Sequence, residues 1–339
     1  MTLRACVLSC LALLLLAAPA GAVVGGTPQD RAGVPWYADV GVCGGTLIAP
    51  DRVMTAEHCV RDRPLDALAA GVAGETRLAR GVSMAPGWQH RNGASNVYAD
   101  IAIVLLDRPV EGVTPVALGG TPPALATILG RGTTRAGTLS DLVLRRGELR
   151  TLSDGECKRT WGKARGNDGE RFRGSTMLCA IDPDGREPLS SGCNGDSGGP
   201  LYTGPDTAPR ILGVVSYGGL KCGADHLPSV FAEVDRHRGF LLDPAPTIAP
   251  VAGGPATITG KARVGRTLRC RAPRFEGDVR KVTTRWAYLD SRGIPRVLGR
   301  RRSFRVNRRA RGKQIRCMVE GSNGGGPALA APDVIAVPR

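Results

Sequence analysis

Lysine is scarce in this 339-residue chain: it contributes six of the 46 Lys+Arg residues, so the positive charge is almost all guanidinium. Histidine is scarcer still, with 4 copies, and aromatic residues make up only 4% of the chain. So few aromatics exclude base stacking as a main mode of binding. No Cys-x-x-Cys pair occurs, and with so few histidines this argues against a zinc framework. No metal site and no cofactor is expected. After Ala18 no apolar run approaches the ~18 residues needed to cross a bilayer, so no membrane span is expected.

What the chain does have begins at its first residues. Arg4 precedes a short apolar stretch from Val7 to Ala18, and Ala20-Gly21-Ala22 offers the small residues that signal peptidase requires. Residues 1–22 therefore read as a secretory signal peptide, placing the mature protein outside the cell. Cys6 and Cys10 leave with it, and eight of the ten cysteines remain. An even count in an exported chain reads as four disulfides.

Charge divides the chain. Residues 251–339 carry 21 Lys+Arg against 5 Asp+Glu, and the preceding residues carry 25 of each sign, so the whole net charge of +16 sits on the C-terminal quarter. Two domains with different electrostatic tasks follow, in keeping with roughly 150 residues per domain. Residues 23–243 read as short β-rich runs broken by Gly, Pro, Asp and Asn, such as Ile101 to Leu106 and Ile211 to Val215, which implies an all-β barrel or sandwich. Val234 to Leu242 reads as a short closing helix. The Pro/Gly/Ala-rich, uncharged stretch 244–256 reads as a linker. No internal repeat of fixed period is evident.

Three local motifs carry chemistry: Thr55-Ala56-Glu57-His58-Cys59; Asp100-Ile101-Ala102 at the head of an apolar strand; and Cys193-Asn194-Gly195-Asp196-Ser197-Gly198-Gly199-Pro200. A serine hydroxyl is a poor nucleophile until a base takes its proton, and imidazole titrates near neutrality. His58 would be that base and afterwards the acid, Asp100 would hold the ring's tautomer, and Ser197 would attack. The N–H groups of Gly195 and Ser197 would form an oxyanion hole, each donor contributing on the order of 10²–10³ in rate.

In type and chain order these motifs resemble the active-site motifs of the trypsin–chymotrypsin family, and residues 23–243 fit its length. The resemblance implies an all-β fold of two β-barrels and a serine endopeptidase acting as a monomer on protein or peptide substrates. It implies three disulfides, Cys43–Cys59, Cys157–Cys179 and Cys193–Cys222. Val23-Val24-Gly25-Gly26 matches the start of an activated member of the family, whose new amino terminus pairs with the aspartate before the serine, here Asp196. A cut after Ala22 would create that terminus directly, so export itself is expected to activate the enzyme. Counting outward from Cys193 puts Ser191 at the base of the specificity pocket, with Gly192 beside it. Ser216-Tyr217-Gly218 and the segment holding Ser229 would form the walls. A trypsin-like pocket would carry aspartate at Ser191. Without a carboxylate a basic side chain would be desolvated unpartnered, so cleavage after apolar or aromatic residues is expected. Asp225 could restore basic specificity, but a solvated loop residue is the expectation. Glu57 stands where a small residue is usual; it either points outward, as expected, or raises the basicity of His58. Arg131, between two glycines, replaces a more typical aromatic.

Residues 257–339 form the basic domain. Alternating strands around Cys270, Trp286 and Cys317 resemble the immunoglobulin-like sandwich modules of bacterial secreted proteins, which implies a Cys270–Cys317 inter-sheet disulfide with Trp286 packed on it. The cluster Arg300-Arg301-Arg302, with Arg305, Arg308, Arg309 and Arg311, either binds an anionic cell-surface polymer or is a solvated basic face. The alternative for the whole protein, an adhesin on a protease scaffold, would not require intact His58, Asp100 and Ser197.

Overall fold

A computed structural model describes residues 23–339 apart from 87–88, 92–93, 97–98, 163, 165–170, 187–188 and 292–294, together with the side chains of 89–91 and 94–96. The signal-peptide assignment of 1–22 lies outside the described residues.

Six strands close a first barrel: β1 (Tyr37–Val40), β2 (Cys43–Ala49), β3 (Arg52–Thr55), β4 (Ala69–Val72), β5 (Glu75–Met84) and β6 (Ala102–Leu106). Their order is β1-β2-β3-β6-β5-β4, with β4 returning to β1. β6 is buried along its whole length, which is why it reads as an unbroken apolar run rather than an alternating one. The second barrel comprises β7 (Leu125–Gly130), β8 (Arg145–Leu152), β9 (Met177–Ile181), β10 (Pro200–Thr203), β11 (Arg210–Tyr217) and β12 (Ser229–Glu233). It follows the same circuit, β7-β8-β9-β12-β11-β10, closed by β10 on β7. The two six-stranded barrels are the chymotrypsin fold. Helix α1 (Asp154–Trp161) goes beyond the expected elements, although its capping box is visible in sequence: Ser153 Oγ accepts from Glu156 N–H and the Glu156 carboxylate accepts from Ser153 N–H. The closing stretch forms a 3-10 turn, Asp235–His237, and one α-turn, Arg238–Leu241.

Beyond the barrels lie further β-sheets. β13 (Thr257–Thr259), β14 (Thr267–Arg271), β15 (Lys281–Leu289), β16 (Pro295–Gly299), β17 (Ser303–Arg305), β18 (Gln314–Asn323), β19 (Gly326–Leu329) and β20 (Asp333–Ala336) divide into a sheet β13-β14-β17 and a sheet β16-β15-β18-β19, with β20 also pairing with β18. Strict alternation of buried and exposed residues in β14 and in most of β18 turns one side of each strand inward. The core between them holds Leu268, Trp286, Phe304, Ile315 and Val319, with Cys270 bonded to Cys317. Trp286 is fully buried and donates its indole N–H to Arg301 O at 2.9 Å.

Segment 244–256 is laid along the first barrel. β4 pairs only with the first half of β5, leaving Val82 and Met84 with an open edge. Ala249 N–H donates to Val82 O, and Met84 N–H to Gly325 O, both at 2.8 Å. The sheet β16-β15-β18-β19 therefore faces the protease barrel, and the sheet β13-β14-β17 is on the other side of the module.

Candidate active site

The two barrels meet along a cleft where the three sequence motifs converge. β3 ends at Thr55, and the next residues turn through the 3-10 helix Glu57–Cys59, which carries His58. The bond between Cys43 and Cys59 ties this turn to β2. Asp100 lies two residues before β6, which pairs with β3, so barrel closure brings residues 58 and 100 together. His58 Nδ1 is 2.7 Å from Asp100 Oδ2, and His58 N–H donates to Oδ1 at 3.0 Å. Ser197 precedes β10 of the second barrel, and its carbonyl accepts from Gly44 N–H of β2 at 2.8 Å. His58 and Ser197 are half-buried, so the site is open to solvent on one side.

Electrostatics follow from burial. Desolvation alone would lower the His58 imidazole, but the Asp100 charge and hydrogen bond outweigh it and the net shift is upward from 6.5. Desolvation would raise Asp100, but His58, Ser216 and the His58 N–H hold its carboxyl below the usual range. Ser216, expected as a pocket wall, donates its hydroxyl to Asp100 Oδ2 at 2.6 Å, a contact not expected from the sequence. The two residues are 116 positions apart, and nothing local in the sequence signals the contact.

The loop before Ser197 is built by close approach. Gly195 stands at φ 95°, and a Cβ there would lie 2.9 Å from Gly132 Cα, so neither conformation nor space admits another residue. Asp196 is fully buried and accepts from Gly132 N–H at 2.7 Å and Cys193 N–H at 2.8 Å. Burial, opposed only in part by these bonds, raises its carboxyl to about 7. Asp196 N–H goes to Cys193 O and Gly198 N–H to Val215 O, while the Gly195 and Ser197 N–H groups have no acceptor among the described residues. Arg131 reaches across to Asp39, Nε to Oδ1 at 2.7 Å, and to the Gly41 carbonyl.

Val23 is fully buried in the second-barrel core with Ile128 and Leu149, and Val24 bridges to Ser191. The residues expected at the pocket floor are uncharged; Asp182, which lines the same pocket, accepts from the Asp184, Gly185 and Ser190 N–H groups. Ser191 Oγ donates to Gly192 O at 3.0 Å, Ser229 Oγ accepts from Gly192 N–H at 3.1 Å, and the two hydroxyls are 3.4 Å apart. Tyr217, expected as a wall, has its ring edge-on to Trp161 at 5.4 Å in a core beside the bonded pair Cys157 and Cys179. Cys193 and Cys222 are bonded, and Gly218 follows β11 directly. The Asp225 carboxylate accepts from its own loop, from Lys221 N–H at 3.0 Å and Leu227 N–H at 3.4 Å. Ligand atoms of His58, Cys43 and Cys59 lie within 4.8 Å of one another, but both sulfurs are spent in the disulfide.

Glu57 overturns the expectation of an outward side chain: it is 0% exposed. Its Oε2 meets Arg61 at 3.2 Å, and Oε1 is buried without a hydrogen-bond partner. Arg61, one turn on, pulls the residue inward, a pairing that sequence spacing of i,i+4 could have suggested. Burial, opposed by Arg61, raises the Glu57 carboxyl to about 8. The folded state thus holds a proton that the unfolded state releases near 4.5, so this residue's contribution to stability declines as pH rises from about 4.5 to about 8. Glu57→Gln should remove that decline: calorimetry at pH 5 and pH 8 should show a smaller drop in Tm for the variant than for the wild type.

Comparisons with known proteins bear on the same residues. Residues 23–241 match the family profile described as Trypsin. The chain is 28% identical over 242 residues to Trypsin iota of Drosophila melanogaster, covering 67% of this chain and 90% of that protein. It is 31% identical over 215 residues to Trypsin of Saccharopolyspora erythraea, covering 59% and 86%. It is also 31% identical over 236 residues to Chymotrypsin-like elastase family member 1 of Felis catus, covering 63% and 81%.

Proposed function

The chain belongs to the trypsin family of serine endopeptidases, and on that premise we propose that it cleaves peptide bonds through an acyl-enzyme on Ser197. The observation that carries this is the 2.7 Å contact of His58 Nδ1 with a buried Asp100 whose other bonds, from Ser216 Oγ and His58 N–H, fix the carboxylate's orientation. Held this way, the ring keeps its proton on Nδ1 and offers Nε2 as base to the Ser197 hydroxyl. The tetrahedral oxyanion would take the Gly195 and Ser197 N–H groups, and His58 would then protonate the leaving amine. A casein-clearing assay with and without a serine-directed inhibitor tests the activity. Because the His58 pKa is raised, kcat/KM should climb with pH to a plateau whose acid limb lies above 6.5.

For specificity, the neutral floor at Ser191, Gly192 and Ser229 supports cleavage after apolar or aromatic residues. A lysine or arginine buried there would lack a counter-charge, and Asp225 is occupied by its own loop. Digestion of a peptide library should give predominant cleavage after Leu, Phe, Tyr or Met; predominant cleavage after Arg would overturn the assignment.

The remaining readings concern processing and location. Val23, with its amino group freed, is the partner for Asp196. The four disulfides suit an exported protein, cut after residue 22. Residues 244–256 serve as a connecting segment, and 257–339 are an immunoglobulin-like sandwich, supported by the two-sheet core with Trp286 beside the Cys270–Cys317 bond. The basic module would target the enzyme to an anionic surface polymer.

A further inference from the structure

The two sheets of the C-terminal module differ in charge: strands β13, β14 and β17 carry three arginines and no carboxylate. Three of the module's five carboxylates are paired on or beside the sheet that faces the protease: Arg285 pairs with Glu320 at 2.6 Å, Arg296 with Asp290 at 2.7 Å and Arg280 with Asp278 at 3.3 Å. Asp333 accepts the N–H groups of Ile258 and Val334. The sheet β13-β14-β17 presents a different face. Alternation in β14 and β17 buries Leu268, Cys270 and Phe304 and turns Arg269, Arg271 and Arg305 outward. Register places a hydroxyl beside each of them: Thr257 opposite Arg271, Thr259 and Ser303 on either side of Arg269, and Thr267 opposite Arg305. Among the described residues none of these three arginines forms an ion pair with a carboxylate.

We propose that the outward face of β13-β14-β17 is a docking surface for a polyol-phosphate polymer, a linear phosphodiester chain without bases. This inference rests on the targeting role proposed above for the module and names its surface and ligand. Guanidinium forks match phosphate oxygens in paired hydrogen bonds, and the neighbouring hydroxyls supply further donors. Arg269 and Arg271 are two residues apart on one strand, about 6.8 Å, a spacing of the order of successive phosphates in such a chain. Among the described residues the face carries no exposed aromatic ring: Trp286 and Phe304 are buried beneath it. A nucleic acid would therefore have its phosphates bound and its bases left in water. Docking here leaves the opposite sheet against the protease barrel.

The test uses the full chain with Ser197→Ala, to prevent self-cleavage, on immobilised poly(glycerol phosphate). The wild-type surface should bind with log affinity falling linearly in log salt concentration. Replacing Arg269, Arg271 and Arg305 together by Gln should weaken binding at least tenfold at low salt and reduce the salt slope by about 2–3, one for each phosphate no longer held. These residues are exposed, and in the active background the variant should cleave a small peptide substrate at the wild-type rate, which controls for folding. A second variant replaces Arg308, Arg309 and Arg311 by Gln. If that variant loses binding while the first keeps it, the targeting role stands and the sheet-face assignment is overturned. If the unaltered face binds neither poly(glycerol phosphate) nor any other polyanion, both fail. Tighter binding to single-stranded DNA of equal charge overturns the choice of polymer.

Discussion

Ser197→Ala should abolish labelling by an active-site fluorophosphonate and lower kcat on a good peptide substrate by on the order of 10⁴–10⁶, with KM little changed. The reason lies in the division of work at the cleft. On the proposed assignment, substrate binding would use the pocket floor and walls, none of which bonds to the Ser197 hydroxyl among the described residues, so the Michaelis complex would survive the loss of one oxygen. Acyl transfer would not, because it needs the Ser197 oxygen as its nucleophile. Residual hydrolysis would come from the oxyanion donors alone. Asp100→Asn should cost about 10⁴, because an amide in its place donates to Nδ1 and forces the proton to Nε2, the wrong tautomer for a base. Persistent labelling of the alanine variant would remove Ser197 from the mechanism.

The sequence made most of this legible for a physical reason. Acyl transfer needs residues whose spacing is set by local turns: His58 next to a disulfide, and Ser197 inside a glycine-rich loop. Such requirements leave contiguous motifs. Contacts set by barrel closure leave none. Ser216 reaches Asp100 only because β11 and β6 belong to barrels that meet at the cleft. The two barrels trace one circuit without any period in the sequence, since a circuit is defined by strand pairing and many sequences with inward-facing apolar residues satisfy it. Glu57 departs from its local pattern because a lone carboxylate beside a surface-seeking turn is ordinarily solvated, and only its pairing with Arg61 reverses that preference. Helix α1 hides in a polar stretch, although Ser153 and Glu156 stand at capping-box spacing.

An enzyme carrying any extra residue before Val23 should be nearly inactive, with kcat/KM reduced roughly 10²–10⁴-fold, the equivalent of losing a buried ion pair at about 3–5 kcal/mol. Asp196 supplies the reason. Burial penalises its charge and, opposed only in part by its two backbone donors, raises its carboxyl to about 7. A free Val23 ammonium would remove that penalty and fix the Cys193-to-Ser197 loop in the form that aims the Gly195 and Ser197 N–H groups. Val23 also sits at φ 51°, a conformation that β-branched residues avoid, and that torsion exists only while residue 22 is attached. Cleavage would release the strain as it creates the charge. The sign of the pH effect follows. The paired amine titrates above its ordinary value of about 8, so the stabilisation is fully present below about 8 and is lost as pH rises through the folded value. Calorimetry should show the Val23-initiated enzyme losing its advantage over the extended form across that alkaline window, and Asp196→Asn should erase the difference at every pH. Mass spectrometry of the active protein's first peptide should begin at Val23. Equal activity of the extended and Val23-initiated forms would sink the pairing, and with it activation by export.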